Sequence, residues 1–325
     1  MTLKDTTISQ MNALGKKRIP FLFIIPFDSK DVIIQPLESV NSNDIKYDFN
    51  GITNVIKTNE EKVTRDVSIP FLPYDLESYK EQFDEVQSEI AYGNTYLINL
   101  TTKTSLLSKI ELEDVFDVAK AKYKLFYKDL FCCFSPEIFI QIRDNSIYSF
   151  PMKGTIDGSI ENAKEILLND SKETAEHYTI VDLIRNDLNL VSKNVKVDRF
   201  RYMDRIETHK GSILQMSSQI SGSLDASWNE NLGTIFSKLL PAGSITGAPK
   251  ERTVEIIKSV ETYDRGYYTG VAGIFDGKSV DSGVLIRFIE KEDDGYCYKS
   301  GGGITMNSDL NSEYKELQHK IYIPK

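Results

Sequence analysis

The chain has 325 residues, of which 40% are hydrophobic and 27% charged, which is the composition of a globular protein rather than of a disordered or fibrous chain. Its formal net charge of −9 leaves no basic field to hold duplex phosphates, so we expect no nucleic-acid partner. The three cysteines, Cys132, Cys133 and Cys297, lack the spaced pairs of a disulfide framework or a metal site, which indicates reduced thiols and a cytoplasmic location.

The first part of the chain predicts short strands and one helix. Its first ten residues lack the apolar core of a signal peptide, and the run PFLFIIPF is too short to cross a bilayer, so we expect no membrane association. This run, DVIIQPL and IKYDF predict strands within residues 18–62. Residues 75–92 predict a helix, because their apolar side chains recur at helical spacing.

The middle of the chain alternates between strand and helix signals. A strand over NTYLINLTTKTSL is followed by a second helix candidate at residues 111–128. FCCF, IFIQI and SIYSF predict three strands, separated by Ser-Pro-Glu and Arg-Asp-Asn. Two helices at about residues 160–169 and 172–187 come next, and a strand is expected around residues 213–220.

The last part of the chain completes an α+β pattern with mostly antiparallel strands. GSITGAPK introduces a helix that reaches to about residue 260, with Pro249 in its first turn. SGVLIRFIE and GYCYKS predict a hairpin across the polar EDDG turn, and a final helix begins near Asp309. Because no repeat or linker interrupts the pattern, we expect residues 1–325 to form a single domain.

A lysine stands between apolar residues and a turn in the stretch SFPMKGT. Asp144 and Asn145 predict a two-residue hairpin turn, because both residue types tolerate positive φ. Counting the register back from this turn places Glu137 opposite Met152 and diagonal to Lys153. The pair is either a salt bridge that closes the two strands or an acid beside a nucleophile, each altering the pKa of the other.

Two predicted helices each carry a pair of glutamates one turn apart. They are Glu173 with Glu176, and Glu313 with Glu316. Mg²⁺ prefers oxygen ligands and keeps several waters, so one glutamate of each pair could bind it while the other holds metal-bound water. An isolated pair of this kind is more often a solvated helix face.

Several stretches are suited to hold an anion. The glycines of SGGGIT let the backbone approach a ligand, although a bulge is the plainer explanation, and GSITGAPK lies at a helix N-terminus. Arg287 interrupts the apolar run VLIRFI on the face of Leu285 and Ile289, and Lys320 lies one turn after the last glutamate. Together with the glutamates, these features predict a Mg²⁺-dependent site for a small polycarboxylate.

In this order, the motifs resemble those of the chorismate-utilising enzymes, which include anthranilate, aminodeoxychorismate, isochorismate and salicylate synthases. The matching stretches are GNTYLINLT, SPEIF, PMKGT, ETAEHYTIVDLIRNDL, GSITGAPK, RGYYTGVAG, VLIRF and SGGGITMNSDLNSEYKE. The resemblance makes residues 75–325 the catalytic core and residues 1–74 a shortened N-terminal part. It implies two layered, mostly antiparallel β-sheets with helices packed outside, an anthranilate synthase component I-like fold.

The residue at position 153 distinguishes members of this family with different activities. PMKGT is similar to the PIKGT motif of aminodeoxychorismate synthases, whereas anthranilate synthases carry alanine in place of the lysine. The resemblance implies that Lys153 attacks carbon 2 of chorismate while Glu137 protonates the departing 4-hydroxyl. Ammonia then enters at carbon 4 and expels the lysine, which yields 4-amino-4-deoxychorismate, a precursor of 4-aminobenzoate and folate.

The resemblance also implies roles for the other motif residues. Glu176 and Glu316 look like direct Mg²⁺ ligands, supported by Glu173 and Glu313. Contacts to the substrate are implied for Thr155, Thr246, Tyr268, Arg287, Gly301, Gly302, Gly303 and Lys320.

Two positions depart from related enzymes. Leu97 stands where isochorismate and salicylate synthases carry a water-activating lysine, and Gln215 where many relatives carry histidine, which leaves open the group that deprotonates ammonium. The chain shows no glutaminase signature, so ammonia would come from a separate glutamine amidotransferase subunit or from solution. The alternatives are anthranilate synthase component I and, in another class, a non-catalytic chorismate-binding subunit. The latter would need neither the four glutamates nor Glu137 and Lys153.

Overall fold

The computed structural model describes residues 2–55, 67–208 and 211–324 of the chain. The helices in these ranges are α1 (Asp5–Lys16), α2 (Leu76–Ala91), α3 (Leu112–Val118), α4 (Ala163–Asn169), α5 (Ser171–Asn189), α6 (Leu232–Leu239), α7 (Lys250–Val260) and α8 (Leu310–His319). The strands are β1 (Phe21–Ile25), β2 (Ile33–Pro36), β3 (Ile45–Phe49), β4 (Ile52–Thr53), β5 (Leu97–Leu106), β6 (Tyr123–Tyr127), β7 (Phe131–Ser135), β8 (Ile138–Arg143), β9 (Ser146–Ser149), β10 (Met152–Asp157), β11 (Lys193–Thr208), β12 (Gly211–Ser223), β13 (Gly247–Ala248), β14 (Val271–Phe275), β15 (Val280–Val284), β16 (Phe288–Glu292) and β17 (Gly295–Ile304).

The described strands form two antiparallel sheets, which confirms the predicted fold class. The first sheet has nine strands in the order β10-β12-β9-β8-β15-β14-β1-β2, with β11 paired to β12. The second sheet has eight strands in the order β13-β5-β17-β16-β7-β6-β3-β4. Strands from the first 74 residues join both sheets, because β1 pairs with β14 and β3 pairs with β6.

Strand β1 shows how the layers pack. All five of its residues are buried, and consecutive side chains point to opposite faces of the sheet. Leu22 and Ile24 belong to a core cluster with side chains of β3, β6 and β7, so they fill the space between the two sheets. Phe21, Phe23 and Ile25 belong to a second cluster with α6, which covers the outer face. Because this strand is buried on both faces, its sequence is the continuous apolar run FLFII.

Side-chain caps begin three of the helices. Asp75 accepts a hydrogen bond from the Ser78 backbone before α2, and Asp309 accepts one from the Ser312 backbone before α8. Asp170 caps α5 in the same way, which starts that helix close to the predicted position. None of the helices in the described ranges combines the length and apolarity needed to cross a membrane.

Two predicted elements are wrong, because each of them covers residues that belong to two different elements of the structure. The helix expected over residues 111–128 ends at Val118, and β6 follows it as a strand between β3 and β7. The run SGVLIRFIE is not one strand, since β15 belongs to the first sheet and β16 to the second. The chain changes sheets at Arg287, whose φ of 54° interrupts the extended backbone. The predicted hairpin therefore joins only β16 to β17.

Two elements were missed from the sequence, and one proline lies outside the helix where it was predicted. The sequence patterns did not indicate α1, which packs against α6, or β11, which extends the first sheet beside β12. Pro249 lies just before the first residue of α7 rather than in its first turn. Part of the predicted N-terminal strand region, residues 56–62, lies outside the described residues.

The hairpin register holds only near its turn. Asp144 and Asn145 have φ of 50° and 55°, and Gln141 pairs with Tyr148 as counted from the sequence. After β9, however, the chain leaves this hairpin, because β10 pairs with β12. Glu137 is therefore not opposite Met152 in a strand pair, and the predicted closeness of acid and lysine must be judged from the tertiary structure.

Candidate active site

A pocket of about 240 Å³ collects most of the predicted site residues. Its wall is built from both sheets, by β10 and β12 of the first and by β5 and β17 of the second. The predicted residues that line it are Glu137, Lys153, Thr155, Thr246, Tyr268, Arg287, Gly301, Gly303, Glu316 and Lys320. The remaining predicted residues, Glu173, Glu176, Glu313 and Gly302, lie next to this wall: Glu176 pairs with Lys153, Glu313 pairs with Lys172, Glu173 lies beside Gly154, and Gly302 lies between two lining glycines.

A bulge aims Lys153 into the pocket. The register of β10 against β12 shifts between Met152 and Thr155, and Gly154 within the bulge has a φ of 76°. Bulges are common beside active sites, since they redirect one side chain out of the regular alternation. The Lys153 ammonium then approaches the backbone of β17. A Cβ atom placed on Gly303 would lie 3.0 Å from Lys153 Nζ, so the ammonium group lies directly over this glycine.

The ion-pair partner of Lys153 is Glu176 rather than Glu137. Lys153 Nζ lies 2.8 Å from Glu176 Oε2, and the glutamate side chain is only 9% exposed. Burial lowers the pKa of Lys153, but the charges of Glu176, Glu316 and Glu173 outweigh this and leave the pKa raised. In this arrangement the lysine is held as an ammonium ion. The prediction of a salt bridge across the β8–β9 hairpin is therefore wrong.

Glu137 lies in the same pocket and is held by a serine. The Ser244 hydroxyl donates a hydrogen bond to Glu137 Oε1. Burial raises the pKa of Glu137, while Ser244 and the positive charges of Arg287 and Lys153 oppose this rise. The net upward shift makes this carboxyl group readier to carry a proton than an exposed glutamate. Ser244 was not among the predicted site residues, although it lies inside the GSITGAPK motif.

Helices α5 and α8 bring the two glutamate pairs together. Lys172 Nζ lies 3.3 Å from Glu313 Oε1 and 3.9 Å from Glu176 Oε1, so one lysine bridges a glutamate from each helix. Glu316 is paired with Lys320 at 2.7 Å. Burial and the neighbouring carboxylates raise the pKa of Glu173, because like charges disfavour ionisation. Lys172 was missed from the sequence, although it lies one turn before Glu176.

These carboxylates fit a hard divalent cation in an open site. Glu176 and Glu313 are buried at 8% and 4% exposure, and carboxylate oxygens are the ligands that Mg²⁺ prefers. The four glutamates do not form a closed cage: among the described residues, the compact group of metal-ligating side chains is Glu290, Glu292 and Cys297. Lysines balance the two glutamates of that group. An ion that keeps several waters suits the more open arrangement of the four glutamates.

Arg287 presents an unpaired donor at the pocket. Its Nε atom is buried without a hydrogen-bond partner among the residues that the structure describes, and its guanidinium lies 5.3 Å from the Tyr322 ring centre. Leaving a charged donor unpaired in the interior is costly, so the site is suited to an anionic ligand. The change of sheet at this residue turns its side chain into the pocket wall.

The other predicted substrate contacts differ in how free their polar atoms are. The Lys320 ammonium donates to Gly301 O at 2.8 Å, and burial lowers its pKa. The Thr246 hydroxyl already donates to Ala242 O at 2.7 Å, which leaves only its lone pairs for a ligand. Thr155 pairs with Gln215 across β10 and β12, and Tyr268 is buried at 3% exposure.

The two departures from related enzymes also face this pocket. Leu97 and Gln215 both line it, and Leu97 Cδ1 lies 3.4 Å from a Cβ placed on Gly303. The corner beside Lys153 is therefore apolar on one side. Leucine has no polar atom, so it can neither bind nor activate a water molecule in this corner.

A buried ion pair between Arg265 and Glu261 contacts the backbone of residues that line the pocket. The sequence patterns did not indicate this pair. Arg265 and Glu261 are each 1% exposed in their side chains and meet at 2.6 Å. The Arg265 guanidinium also donates to Ile245 O at 2.9 Å, to Asn99 O at 2.6 Å and to the Thr269 hydroxyl at 3.3 Å. All five N–H groups are thereby used. One side chain holds three segments of the pocket wall in place.

Comparisons with known proteins agree with this geometry. An uncharacterized PabA-like protein of Pasteurella multocida (strain Pm70) is 48% identical over 317 residues, which covers 98% of each chain. A putative aminodeoxychorismate synthase of Schizosaccharomyces pombe is 33% identical over 261 residues, which covers 74% of this chain and 35% of that protein. The crystal structure of anthranilate synthase component I from Streptococcus pneumoniae matches with a TM-score of 0.69 at 24% identity, covering 82% of this chain and 62% of that chain.

A family model extends the comparison over most of the chain. The model of the chorismate binding enzymes matches residues 39–324, a range that contains every residue of the pocket described above. The predicted resemblance is thereby confirmed at the level of the family. From its fold, its pocket and this match, the chain belongs to the chorismate binding enzyme family.

Proposed function

We propose that this protein is component I of an aminodeoxychorismate synthase, which converts chorismate and ammonia to 4-amino-4-deoxychorismate and water. The proposal depends on one observation above the others. Lys153 reaches the pocket beside Gly303, in the same cavity as the carboxyl of Glu137. A primary amine in this cavity can act as a nucleophile toward a ring carbon, which the alanine of anthranilate synthases cannot do.

The first step would form a covalent adduct. Lys153 is an ammonium ion while it pairs with Glu176, so it must first lose a proton to solvent. The neutral amine then attacks carbon 2 of chorismate, the ring double bond shifts, and the carbon–oxygen bond at carbon 4 breaks. Glu137 gives its proton to the departing hydroxyl, which leaves as water. The raised pKa of Glu137 supports this role, because a general acid must hold its proton near neutral pH.

The second step would reverse the first with a different nucleophile. Ammonia attacks carbon 4, the double bond returns to its original position, and the carbon–nitrogen bond to Lys153 breaks. The lysine leaves carbon 2 as the free amine. The nitrogen added at carbon 4 gives up a proton, which returns to the Glu137 carboxylate, so the enzyme is regenerated. Two successive allylic displacements give net retention at carbon 4. Leu97 beside the lysine supplies no group that would activate a water molecule to compete with ammonia.

The charged groups of the pocket would hold the substrate. Arg287 has an unpaired Nε suited to a carboxylate, and Lys320 places a second ammonium on the same wall. Glu176 and Glu316 would ligate Mg²⁺, with Glu173 and Glu313 behind them. Bound there, a Mg²⁺ ion supplies positive charge that attracts a carboxylate of chorismate and balances the clustered glutamates.

The ammonia would come from a separate glutamine amidotransferase subunit, since the sequence carries no glutaminase signature of its own. The reaction would take place in the cytoplasm. Anthranilate synthase component I is the alternative activity, favoured by the structural likeness to the Streptococcus pneumoniae enzyme and disfavoured by Lys153. A non-catalytic chorismate-binding subunit would have no use for an acid, a lysine and four glutamates at one pocket.

Product analysis tests the proposal. The purified protein is incubated with chorismate, Mg²⁺ and ammonium, and the products are separated and identified by mass. We expect 4-amino-4-deoxychorismate, which is converted to 4-aminobenzoate only after an aminodeoxychorismate lyase is added. Anthranilate as the main product would establish the alternative activity, and chorismate that is bound but unchanged would establish the non-catalytic one.

A further inference from the structure

The Ser244 hydroxyl contacts Glu137, the side chain that gives its proton to the leaving group in the proposed reaction. It donates to Glu137 Oε1, and both residues line the pocket. The two residues are 107 positions apart in the chain, so the contact is made only by the tertiary structure. No residue that the structure describes donates a hydrogen bond to Oε2, the other carboxyl oxygen of Glu137, which leaves this oxygen available to a ligand.

The turn that carries Ser244 is held on both sides. On one side, a Cβ on Gly243 would lie 3.0 Å from Leu183 Cδ2, so the backbone is packed directly against α5. On the other side, Arg265 donates to Ile245 O at 2.9 Å. The Thr246 hydroxyl closes the turn by donating to Ala242 O at 2.7 Å. These contacts fix the position from which Ser244 reaches the carboxyl group.

We infer that Ser244 is a positioning residue for Glu137, which holds Oε1 so that the acidic proton resides on Oε2 and points at the departing 4-hydroxyl of chorismate. This inference rests on the proposed function of Glu137 as the proton donor. A protonated carboxyl has one hydroxyl oxygen and one carbonyl oxygen, and the oxygen that accepts the serine hydrogen bond is the carbonyl oxygen. The serine therefore selects which oxygen carries the proton.

The same hydrogen bond acts on the product of proton transfer. When the bond at carbon 4 breaks, the proton moves from Glu137 Oε2 to the departing oxygen, and Glu137 becomes a carboxylate. The Ser244 bond then becomes charge-assisted and stronger, which stabilises that carboxylate. Ser244 thus acts twice, by orienting the acid before transfer and by stabilising its conjugate base afterwards.

Removing the hydroxyl has a defined effect on protonation. Burial raises the pKa of Glu137. The Ser244 hydrogen bond is the largest influence that lowers this pKa, and the positive charges of Arg287, Lys153 and Lys320 lower it as well. Without the bond, the pKa of Glu137 rises further. Glu137 is active in its protonated form, so activity is lost as pH rises through its pKa. The alkaline limb of the pH profile must therefore move to higher pH when the hydroxyl is removed, even though the rate falls.

The test compares Ser244→Ala with Ser244→Thr, which keeps a hydroxyl. We expect Ser244→Ala to lower kcat on the order of tenfold, part of the roughly 10²–10⁴-fold that a general acid contributes, with little change in KM for chorismate. Its alkaline limb should shift to higher pH, and Ser244→Thr should restore both values. Ser149→Ala is the matched control, because this buried hydroxyl donates to Phe139 O and lies outside the pocket lining.

A spectroscopic measurement makes the test independent of turnover. The infrared carbonyl band of protonated Glu137 is identified by difference from Glu137→Gln. It should move to higher frequency in Ser244→Ala, because its carbonyl oxygen loses a hydrogen bond. An unmoved band together with an unmoved alkaline limb overturns the inference. If the unmodified protein makes anthranilate, the proposed function fails, but the same variants still test Ser244, since the 4-hydroxyl also leaves in that reaction.

Discussion

Lys153 Nζ lies 2.8 Å from Glu176 Oε2, so the proposed nucleophile and the proposed metal site share one carboxylate. The hairpin register had placed this lysine beside Glu137 instead. The two functions of the site are therefore coupled, because any cation bound by Glu176 competes with the lysine ammonium for the same oxygen atoms. Substitutions of either residue must be interpreted with this contact in mind.

The first prediction concerns the covalent adduct. Chemical trapping during turnover should add chorismate-derived mass to the peptide that contains Lys153, and Lys153→Ala should abolish this mass. Residual turnover of Lys153→Ala should shift toward amination at carbon 2, as in enzymes that carry alanine there. Peptide mass spectrometry and product analysis measure the two effects.

Lys153→Arg is the matched control for this prediction. It keeps a positive charge for Glu176 but provides no nucleophilic amine, so it should bind chorismate without forming an adduct. If Lys153→Ala still makes 4-amino-4-deoxychorismate at nearly the normal rate, the lysine serves only as an electrostatic partner of the glutamates.

The second prediction concerns the metal. Glu176→Gln and Glu316→Gln should each abolish turnover at ordinary Mg²⁺ concentrations while the thermal unfolding temperature stays close to that of the unmodified protein, because each removes one charged ligand from an open site. Turnover is measured during a Mg²⁺ titration. Glu165→Gln, an exposed glutamate on α4, should leave the titration curve unchanged. Full turnover of the unmodified protein in excess chelator would contradict the proposal.

The third prediction concerns Arg287. Arg287→Lys should raise KM for chorismate roughly 10- to 100-fold, since a hydrogen bond to a charged group contributes about 1.5–3 kcal/mol. Steady-state kinetics measures the effect, and thermal unfolding of the variant is recorded alongside. Arg143→Lys in the exposed β8–β9 hairpin is the control and should keep the normal KM. A normal KM in folded Arg287→Lys would show that the arginine serves packing against Tyr322 alone.

The fourth prediction concerns stability. Glu261→Gln should lower the free energy of unfolding by about 3–5 kcal/mol, because it leaves the Arg265 guanidinium buried with an uncompensated charge. Glu255→Gln removes an exposed partner of Arg252 and should leave the free energy of unfolding nearly unchanged. Urea unfolding of both variants measures the difference. Equal effects would show that the buried pair is not what holds the pocket wall together.

Local patterns determined much of the fold and the membership of the site. Helical spacing in residues 75–92 predicted α2, and Asp144 with Asn145 predicted a turn that both residues adopt with positive φ. The order of the motifs was sufficient to indicate the family and ten residues of the pocket wall. The helix and the turn depend on contacts between neighbouring residues, which the local sequence specifies directly, whereas the pocket residues followed from the resemblance to a known family.

Only the tertiary structure decided which of these side chains meet. Lys153 and Glu176 are 23 positions apart and Glu137 and Ser244 are 107 apart, and no periodicity encodes either pairing. The departure of β10 from the hairpin toward β12, and the change of sheet at Arg287, follow from how two sheets share one interior. The apolar residues of a run such as SGVLIRFIE could be buried in either sheet. Which residues join which sheet therefore depends on packing across the whole domain rather than on local sequence.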